Sequence, residues 1–396
     1  MKQLTHKQHV LIGVTLFSMF FGAGNLIFPP YTGYAAGSSS VVAFIGLAST
    51  AVLFPVFGVM ATARAGGVDA LCRKIHPHFA TVFTIVIYLC IGPMLAIPRT
   101  ASTSYSMFHF LTQAADGIAV GPFPLSSLIC AVFSALFFFG SYHLAMRPSH
   151  LKDVLGKWMT PVLLILIAAM FVTSLFVLTD APAPSRAPYD VNPFGKGFVE
   201  GYQTMDALAA LVFGIVISMN IRDFGVQDDK AVSRETARAG LIAGVCLTVV
   251  YGLLAYLGAR GSAVIPEAAD GTAVLSSLCQ VLFGAAGPVI LAAIYFVACF
   301  NVCTGLLSSC AAYFSQKFPA FSFRSWLRIF TVASFLVSIL GLDLILKISV
   351  PILTLVYPVA LTVIVLNLLP FRFLGRPAVQ RIAVAAAFVA SILSMF

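Results

Sequence analysis

The composition of this chain is that of a protein that spans a membrane. It has 396 residues, of which 60% are hydrophobic and only 9% are charged, whereas about 25% are charged in an ordinary soluble domain. A soluble fold with so few charges would expose large apolar patches, which excludes a soluble enzyme, a nucleic-acid-binding domain and a disordered chain. The formal net charge of +9 fits basic loops on one side of a membrane.

Eleven apolar runs are long enough to cross a bilayer, which needs roughly 20 residues per helix. The runs are continuous in hydrophobicity, so we predict an all-α polytopic membrane protein with about 11 (11–12) transmembrane helices. The predicted spans cover residues 10–36, 40–63, 79–106, 124–143, 159–179, 199–221, 238–259, 286–315, 327–343, 345–368 and 380–396.

The distribution of Lys and Arg supports this span count. If the N-terminus is cytoplasmic, most of the 23 basic residues lie in the predicted cytoplasmic segments. The outer segments hold only Arg186, Lys196, Arg260 and Lys347, and Arg99 lies inside a span. This asymmetry is the one expected for short loops, and it places the C-terminus on the outer side if there are 11 spans.

A proline-rich outer loop, 180–196, divides the chain after five spans. Because five is odd, a second block of five spans enters the membrane with the opposite orientation, as in an inverted repeat. We therefore predict one membrane transport domain over 1–396. Its first repeat covers 10–179, its inverted second repeat covers 199–368, and 380–396 forms an extra span.

Span 1 carries a polar, glycine-rich interruption. It contains Gly22, Ala23, Gly24 and Asn25, followed by a proline pair at 29–30. The glycines and the proline pair favour local unwinding, and the alternative is close helix packing through small residues. Unwound half-helices offer N–H groups to a substrate carboxylate and carbonyl groups to a cation.

Span 6, which opens the second repeat, is interrupted at a similar depth. It contains Thr204, Met205 and Asp206, and further along it Phe213 and Gly214. A carboxylate inside a span is costly unless it is partnered or hydrated, so Asp206 is a functional candidate. The alternative role for Asp206 is a helix N-terminal cap. Interrupted segments in corresponding places of two repeats indicate a transporter binding site.

Spans 3 and 8 add further polar groups. Arg99 lies at about the depth of Asp206, so we expect the two side chains to approach each other directly or through water; the alternative for Arg99 is snorkelling to the interface. In span 8, Asn301, Thr304 and Ser308 share one helical face. Their oxygens suit Na⁺ or a water-lined path, and the alternative is bonding to the helix's own carbonyls.

The cysteines do not indicate a disulfide scaffold. Six of the eight lie within apolar runs, where cysteine behaves as a small hydrophobe. Cys299, Cys303 and Cys310 lie close together in sequence, but no CxxC pair and no nearby histidine accompanies them. We therefore expect no cofactor, and no metal beyond a coupling Na⁺.

Three stretches of the sequence are specific enough to suggest a family. They read FFGAGNLIFPP at 20–30, GP at 92–93 with AIPRTA at 96–101, and TMDALAALVFG at 204–214. They resemble the branched-chain amino acid carriers, the leucine–isoleucine–valine:cation symporters of bacteria. The resemblance extends from span 1 to span 10.

The resemblance implies a fold and a function. The family is placed in the amino acid–polyamine–organocation superfamily, which implies the five-plus-five inverted repeat of the leucine-transporter fold. The function implied is import of leucine, isoleucine and valine across the bacterial inner membrane in symport with Na⁺ or H⁺. Its partners are the small-molecule substrate and membrane lipid, with no nucleic acid; the sequence does not indicate an oligomeric state. The alternatives are a transporter of another small neutral amino acid, a channel, or a non-transporting membrane sensor. An intramembrane enzyme would need paired catalytic groups, and the spans lack them.

The site residues follow from the interruptions together with the resemblance. Met205 and Phe213 are expected to line an apolar pocket for the substrate's side chain. The candidate substrate-binding residues are Gly22, Ala23, Gly24, Asn25, Arg99, Thr204, Met205, Asp206 and Phe213. The candidate residues for Na⁺ or H⁺ are Asn25, Asp206, Asn301, Thr304 and Ser308.

Three features depart from the family pattern. Ser106 stands where an acidic residue often follows the Pro-Arg-Thr segment, and Val302 stands near a usual pair of threonines. Since valine offers no side-chain oxygen, we expect a cation site between spans 1 and 8 with a Na⁺ dependence weaker than the family norm. The chain reaches Phe396 without the twelfth span expected of the family.

Overall fold

The structure is a computed structural model that describes residues 4–112, 118–120, 123–265, 267–368 and 376–393. These residues are overwhelmingly helical, with one antiparallel ladder of two very short strands between spans 3 and 4. The predicted all-α membrane architecture is therefore confirmed.

The helices match the predicted spans closely. In chain order they are α1 (His6–Phe20), α2 (Ala23–Ala36), α3 (Ser40–Ala48), α4 (Phe54–Ala65), α5 (Val68–Arg73), α6 (Pro77–Leu89), α7 (Ala96–Met107), α8 (His109–Thr112), α9 (Leu125–Ala145), α10 (Thr160–Val177), α11 (Pro193–Glu200), α12 (Asp206–Asp223), α13 (Asp229–Gly261), α14 (Gly271–Phe283), α15 (Gly287–Lys317), α16 (Phe323–Ser338), α17 (Leu342–Leu368) and α18 (Pro377–Leu393). The strands are β1 (Ala119–Val120) and β2 (Phe123–Pro124). Turns of π-helix continue the helical path at Ser49–Leu53, Cys90–Met94 and Lys152–Met159, and turns of 3₁₀-helix lie at Gly37–Ser39, Pro148–His150, Gly201–Thr204 and Gly284–Ala286.

Each predicted span coincides with one helix or with two helical pieces in series. Within the described residues, eight helical segments are long and apolar enough to cross a membrane. The largest difference is in span 7, which is predicted to begin at 238, whereas α13 begins at Asp229 after an N-cap by Asp228. Hydropathy detects only the lipid-crossing part of a helix, and α13 extends beyond it with polar residues. The last three residues of the final predicted span, 394–396, lie outside the described residues.

Span 1 is broken, as the glycines predict, but the break is short. Helix α1 ends at Phe20, and α2 begins at Ala23 after extended backbone at Phe21 and Gly22. The Oδ1 atom of Asn25 accepts a hydrogen bond of 2.9 Å from the Gly22 N–H, so Asn25 stabilises the start of α2. The unwinding predicted for the whole GAGN segment is thus confined to its first residue. The proline pair at 29–30 lies inside α2 and does not end it.

Span 6 is broken at the corresponding place of the second block. A turn of 3₁₀-helix at Gly201–Thr204 follows α11, and Met205 adopts the left-handed region with φ of +65° before α12 begins. Non-glycine residues are uncommon in this region. In span 3, the backbone departs from helical geometry at Gly92 and α7 starts again at Ala96.

Close backbone contacts hold the second half of span 1 in place. A Cβ atom built on Gly33 of α2 would lie 1.9 Å from the Ala255 carbonyl oxygen, and one on Gly258 would lie 1.9 Å from that of Pro30. Any side chain there would separate α2 from α13, so small residues permit this approach. Helix α2 therefore has a rigid support, and its N-terminus has a defined position.

Candidate functional site

A cavity lies where the breaks of spans 1 and 6 meet α7 and α15. Its lining is mostly apolar, with one arginine, one aspartate and a few amide and hydroxyl groups among it. The lining residues are Met19, Phe20, Gly22, Ala23, Gly24, Asn25, Ile91, Ala96, Arg99, Thr100, Thr204, Met205, Asp206, Ala209, Val302 and Leu306. Of the predicted substrate-binding residues, all except Phe213 line this cavity.

Asp206 is held by side chains from two other spans. Its side chain is buried, with 1% of its surface exposed. Its Oδ2 atom accepts hydrogen bonds from Asn25 Nδ2 at 2.7 Å and from the Tyr251 hydroxyl at 2.5 Å. The Asn25 amide also donates to the Tyr251 hydroxyl. The N-cap of α12 is Met205, so the capping alternative for Asp206 does not describe its carboxylate, which joins spans 1, 6 and 7.

Arg99, in span 3, contacts both broken spans. Its Nη1 donates to the Gln203 carbonyl oxygen at 3.2 Å. A Cβ built on Gly24 would lie 2.9 Å from Nη2 of Arg99, so the guanidinium packs on the start of α2. The side chain is 4% exposed, which is incompatible with snorkelling.

Arg99 and Asp206 approach each other across a shared cavity and not through a direct contact. Both side chains line the same cavity. Among the ion pairs within 4.0 Å in the described part of the chain, none joins them. A buried cation and a buried anion thus face one small space without contacting each other directly.

Phe213 is not part of the cavity lining, whereas Met205 lies in the cavity wall. Phe213 is fully buried and packs edge-on against Phe20, with ring centroids 5.3 Å apart. It lies eight residues beyond Met205, or about 12 Å along the helix, and it borders the cavity through Phe20. Phe213 therefore supports the cavity-lining Phe20, and Ala209 takes its place on the cavity wall.

The candidate cation residues divide into two groups. Asn25 and Asp206 lie at the cavity, whereas Asn301, Thr304 and Ser308 are buried outside its lining. Thr304 Oγ1 donates to the Phe300 carbonyl of its own helix at 2.7 Å. This is the bonding to the helix's own carbonyls that the sequence analysis gave as the alternative to a cation site.

On the same helix, Asn301 contacts span 1. Its Nδ2 donates to Ser18 Oγ at 2.7 Å. Among the described residues, Asn301 Oδ1 and Ser308 Oγ have no hydrogen-bond partner. Val302, one residue along, turns toward the cavity and packs on Gly22.

Sequence reasoning missed Tyr251 and did not give Thr100 a role. Tyr251 lies in the middle of span 7, inside an apolar run, and a buried tyrosine hydroxyl usually has a partner. A tyrosine inside an apolar run therefore indicates a hydrogen-bond partner, but it does not say in which span the partner lies. Thr100 lines the cavity beside Arg99. Ser106 lies away from the cavity and donates to the Thr103 carbonyl of its own helix at 2.8 Å.

Paired helix breaks around a buried, mostly apolar cavity are the arrangement of the leucine-transporter fold, and solved structures share this fold. The chain matches MhsT in complex with L-phenylalanine with a TM-score of 0.63 at 15% identity, covering 100% of this chain and 99% of that one. It matches Mhp1, a nucleobase–cation–symport-1 family transporter with bromovinylhydantoin bound, with a TM-score of 0.59 at 13% identity, covering 98% and 91%. At these identities the likeness concerns the fold alone.

The sequence comparisons identify the family. The sequence model of the branched-chain amino acid transport proteins matches residues 5–396. The chain is 39% identical over 373 residues to the branched-chain amino acid permease BraB of Bacillus subtilis, covering 93% of this chain and 82% of that protein. It is 38% identical over 372 residues to the branched-chain amino acid transport system 3 carrier protein of Pseudomonas aeruginosa, with the same coverage. The chain belongs to this family, and it is a multi-pass membrane transporter rather than an enzyme.

Proposed function

We propose that this protein imports leucine, isoleucine and valine in symport with a cation. The observation that carries this proposal is the cavity at the two helix breaks. It presents one buried cation, Arg99, and one buried anion, Asp206, in walls that are otherwise mostly apolar. A zwitterionic amino acid with an aliphatic side chain complements such a site in charge and in polarity. The names of the family and of its members support the substrate class.

In the proposed complex, the substrate's carboxylate lies at the start of α2 and beside Arg99. The first N–H groups of a helix lack intrahelical partners and carry partial positive charge. Here they belong to Ala23, Gly24 and Asn25, which line the cavity. The Gly22 N–H already donates to the Asn25 side chain. The substrate's ammonium group lies at the carboxylate of Asp206.

The apolar walls receive the substrate's side chain. Ile91, Met205, Val302 and Leu306 supply most of this surface, and Ala209 leaves room between them. An apolar wall discriminates by only about 1–3 kcal/mol per methylene group. We therefore expect leucine, isoleucine and valine to compete with one another at this one site.

For the cation, we propose a weak Na⁺ site between spans 1 and 8. Its support is the buried Asn301 Oδ1, which has no hydrogen-bond partner among the described residues, on a side chain whose amide contacts Ser18 of span 1. Hard cations prefer oxygen ligands. Val302 contributes no oxygen, and Thr304 bonds to its own helix, so few ligands remain. Proton coupling is the alternative, and Asp206 supports it because it is buried without a basic side chain in ion-pair contact among the described residues.

The test is uptake of labelled leucine by the purified protein in liposomes under an imposed Na⁺ or proton gradient. Concentrative, saturable uptake that isoleucine and valine inhibit is expected, and Asp206→Asn abolishes it. Asp190→Asn, an exposed carboxylate of the outer loop, is the matched control and transports normally. Flux that never exceeds equilibrium indicates a channel, binding without uptake indicates a sensor, and uptake that ignores both gradients overturns symport.

A further inference from the structure

Tyr251 lies outside the cavity lining and bonds directly to the carboxylate of Asp206. Its hydroxyl donates to Asp206 Oδ2 at 2.5 Å. The same oxygen accepts from Asn25 Nδ2 at 2.7 Å, so both donors converge on one oxygen of the carboxylate. Hydrogen bonds to a charged acceptor are roughly twice as strong as neutral ones. Two of them on one oxygen fix the rotation of the carboxylate group.

The support behind Tyr251 is rigid. Its ring is fully buried and lies 6.2 Å, between centroids, from the ring of Phe21 at the break of span 1. Its helix, α13, packs on α2 through Gly258 and Gly33, where the backbones approach too closely for any side chain. The hydroxyl therefore has a fixed position relative to the start of α2, where the substrate's carboxylate is proposed to bind.

We propose that Tyr251 is a positioning residue that selects substrates with an α-ammonium group. By holding Oδ2 of Asp206, it turns the remainder of the carboxylate toward the cavity, where Asp206 contacts the ammonium. This inference rests on the proposed function, in which Asp206 binds that group. Without the Tyr251 hydroxyl, the carboxylate rotates more freely and the site loses part of its preference for an amino acid over the corresponding carboxylic acid.

A purely structural role for Tyr251 predicts a different result. If its hydroxyl served only to hold spans 6 and 7 together, its removal would lower the yield of folded protein or the maximal rate. It would not change the relative affinity for two ligands that differ only in the ammonium group. The ratio of two affinities therefore separates positioning from packing.

The experiment compares leucine with 4-methylpentanoate, which is leucine without its amino group. For the full chain in liposomes, KM and Vmax are measured for labelled leucine, and Ki is measured for 4-methylpentanoate. Tyr251→Phe keeps the ring and removes one oxygen. We expect it to raise KM for leucine about 10-fold, the effect of one hydrogen bond to a charged group. The ratio of Ki to KM should fall by a similar factor, with Vmax little changed.

Tyr256→Phe, on the same helix with its hydroxyl near Arg260 Nε, is the matched control and keeps the wild-type values.

A double-mutant cycle with Asp206→Asn gives a second, independent measurement. Equilibrium binding of leucine to the purified variants is measured, so transport is not required. If Tyr251 acts through Asp206, Tyr251→Phe changes leucine affinity much less in the Asp206→Asn background than in the wild type. Equal effects in both backgrounds would overturn the proposal, as would an unchanged Ki to KM ratio. If Asp206→Asn itself binds and transports leucine normally, the proposed function fails. If Asp206→Asn fails and Tyr251→Phe behaves as wild type, only the role of Tyr251 is refuted.

Discussion

Gly22 offers the sharpest test of the geometry at the break of span 1. A Cβ atom on Gly22 would lie 2.7 Å from Cγ2 of Val302 and 3.1 Å from its Cβ. The φ of Gly22 is −132°, outside the left-handed region that favours glycine, so the main obstacle to alanine is steric. The effect of Gly22→Ala is therefore due to one steric contact between spans 1 and 8. Overpacking of this kind costs about 1–3 kcal/mol.

The magnitude follows from where that contact lies. Both residues line the cavity, so relief of the clash displaces either the start of α2 or the wall at Val302. With about 1.4 kcal/mol per factor of ten, we expect Gly22→Ala to weaken leucine binding about 10- to 100-fold. Val302→Ala removes Cγ2 and leaves the contact at 3.1 Å. In the double variant we therefore expect about 10-fold recovery of the lost affinity.

The assay is equilibrium binding and initial-rate uptake of labelled leucine, with thermal unfolding to confirm folding. Gly214→Ala is the matched control, because the nearest atom to a Cβ there is Thr62 Oγ1 at 3.5 Å, an ordinary contact. Wild-type behaviour of Gly22→Ala would show that spans 1 and 8 do not pack as described. If the single and double variants lost the same leucine affinity, the alanine at position 22 would not be in contact with the Val302 side chain.

Three further predictions concern other residues. Arg99→Lys should raise KM for leucine about 10-fold, because lysine lacks the planar fork that reaches both the Gln203 carbonyl and the start of α2; an unchanged KM would remove Arg99 from the carboxylate site. Asn301→Ala should reduce the stimulation of leucine uptake by Na⁺ while sparing uptake driven by a proton gradient, and equal loss under both gradients would contradict a Na⁺ site there. Outside the spans, burial, and secondarily the nearby Asp69 carboxylate, raise the pKa of the Cys72 thiol to about 12. Because the thiolate is the reactive form, mass spectrometry should find Cys72 unmodified by iodoacetamide at pH 8 in folded protein and modified after unfolding.

The sequence identified the helix breaks because their causes are local. Glycines and a mid-span carboxylate are unfavourable in an ordinary membrane helix, so they point to the breaks of spans 1 and 6 without any tertiary information. The same holds for Arg99. These local signals place eight of the nine predicted substrate-binding residues on one cavity. The exception, Phe213, packs against the cavity-lining Phe20 of span 1, and spacing within one helix does not show such a contact between spans.

The sequence alone does not predict which side chains from different spans contact each other. Asn301 and Ser308 are both fully buried, but so are the residues on every other side of α15 between them, and periodicity does not say which neighbour each side of the helix meets. Asn301 meets Ser18 in α1 below the break, whereas Val302 is the one that reaches the cavity. The sequence did not reveal the role of Tyr251 for the same reason, because its hydrogen-bond partners, Asp206 and Asn25, lie in other spans.

Under the proposed function, the separation of Arg99 and Asp206 gives a physical reason for binding a zwitterion. Each buried charge has only partial compensation, Arg99 from one backbone carbonyl and Asp206 from two hydrogen-bond donors. Uncompensated buried charges cost several kcal/mol each. A direct salt bridge would offset part of that cost but would leave less charge for a ligand to neutralise. A substrate that carries both charges in the space between them neutralises both at once, while an analogue with only one charge leaves the other uncompensated. On the proposed function, the separation of the two charges thus favours binding of the whole amino acid backbone, and the apolar walls then select among side chains.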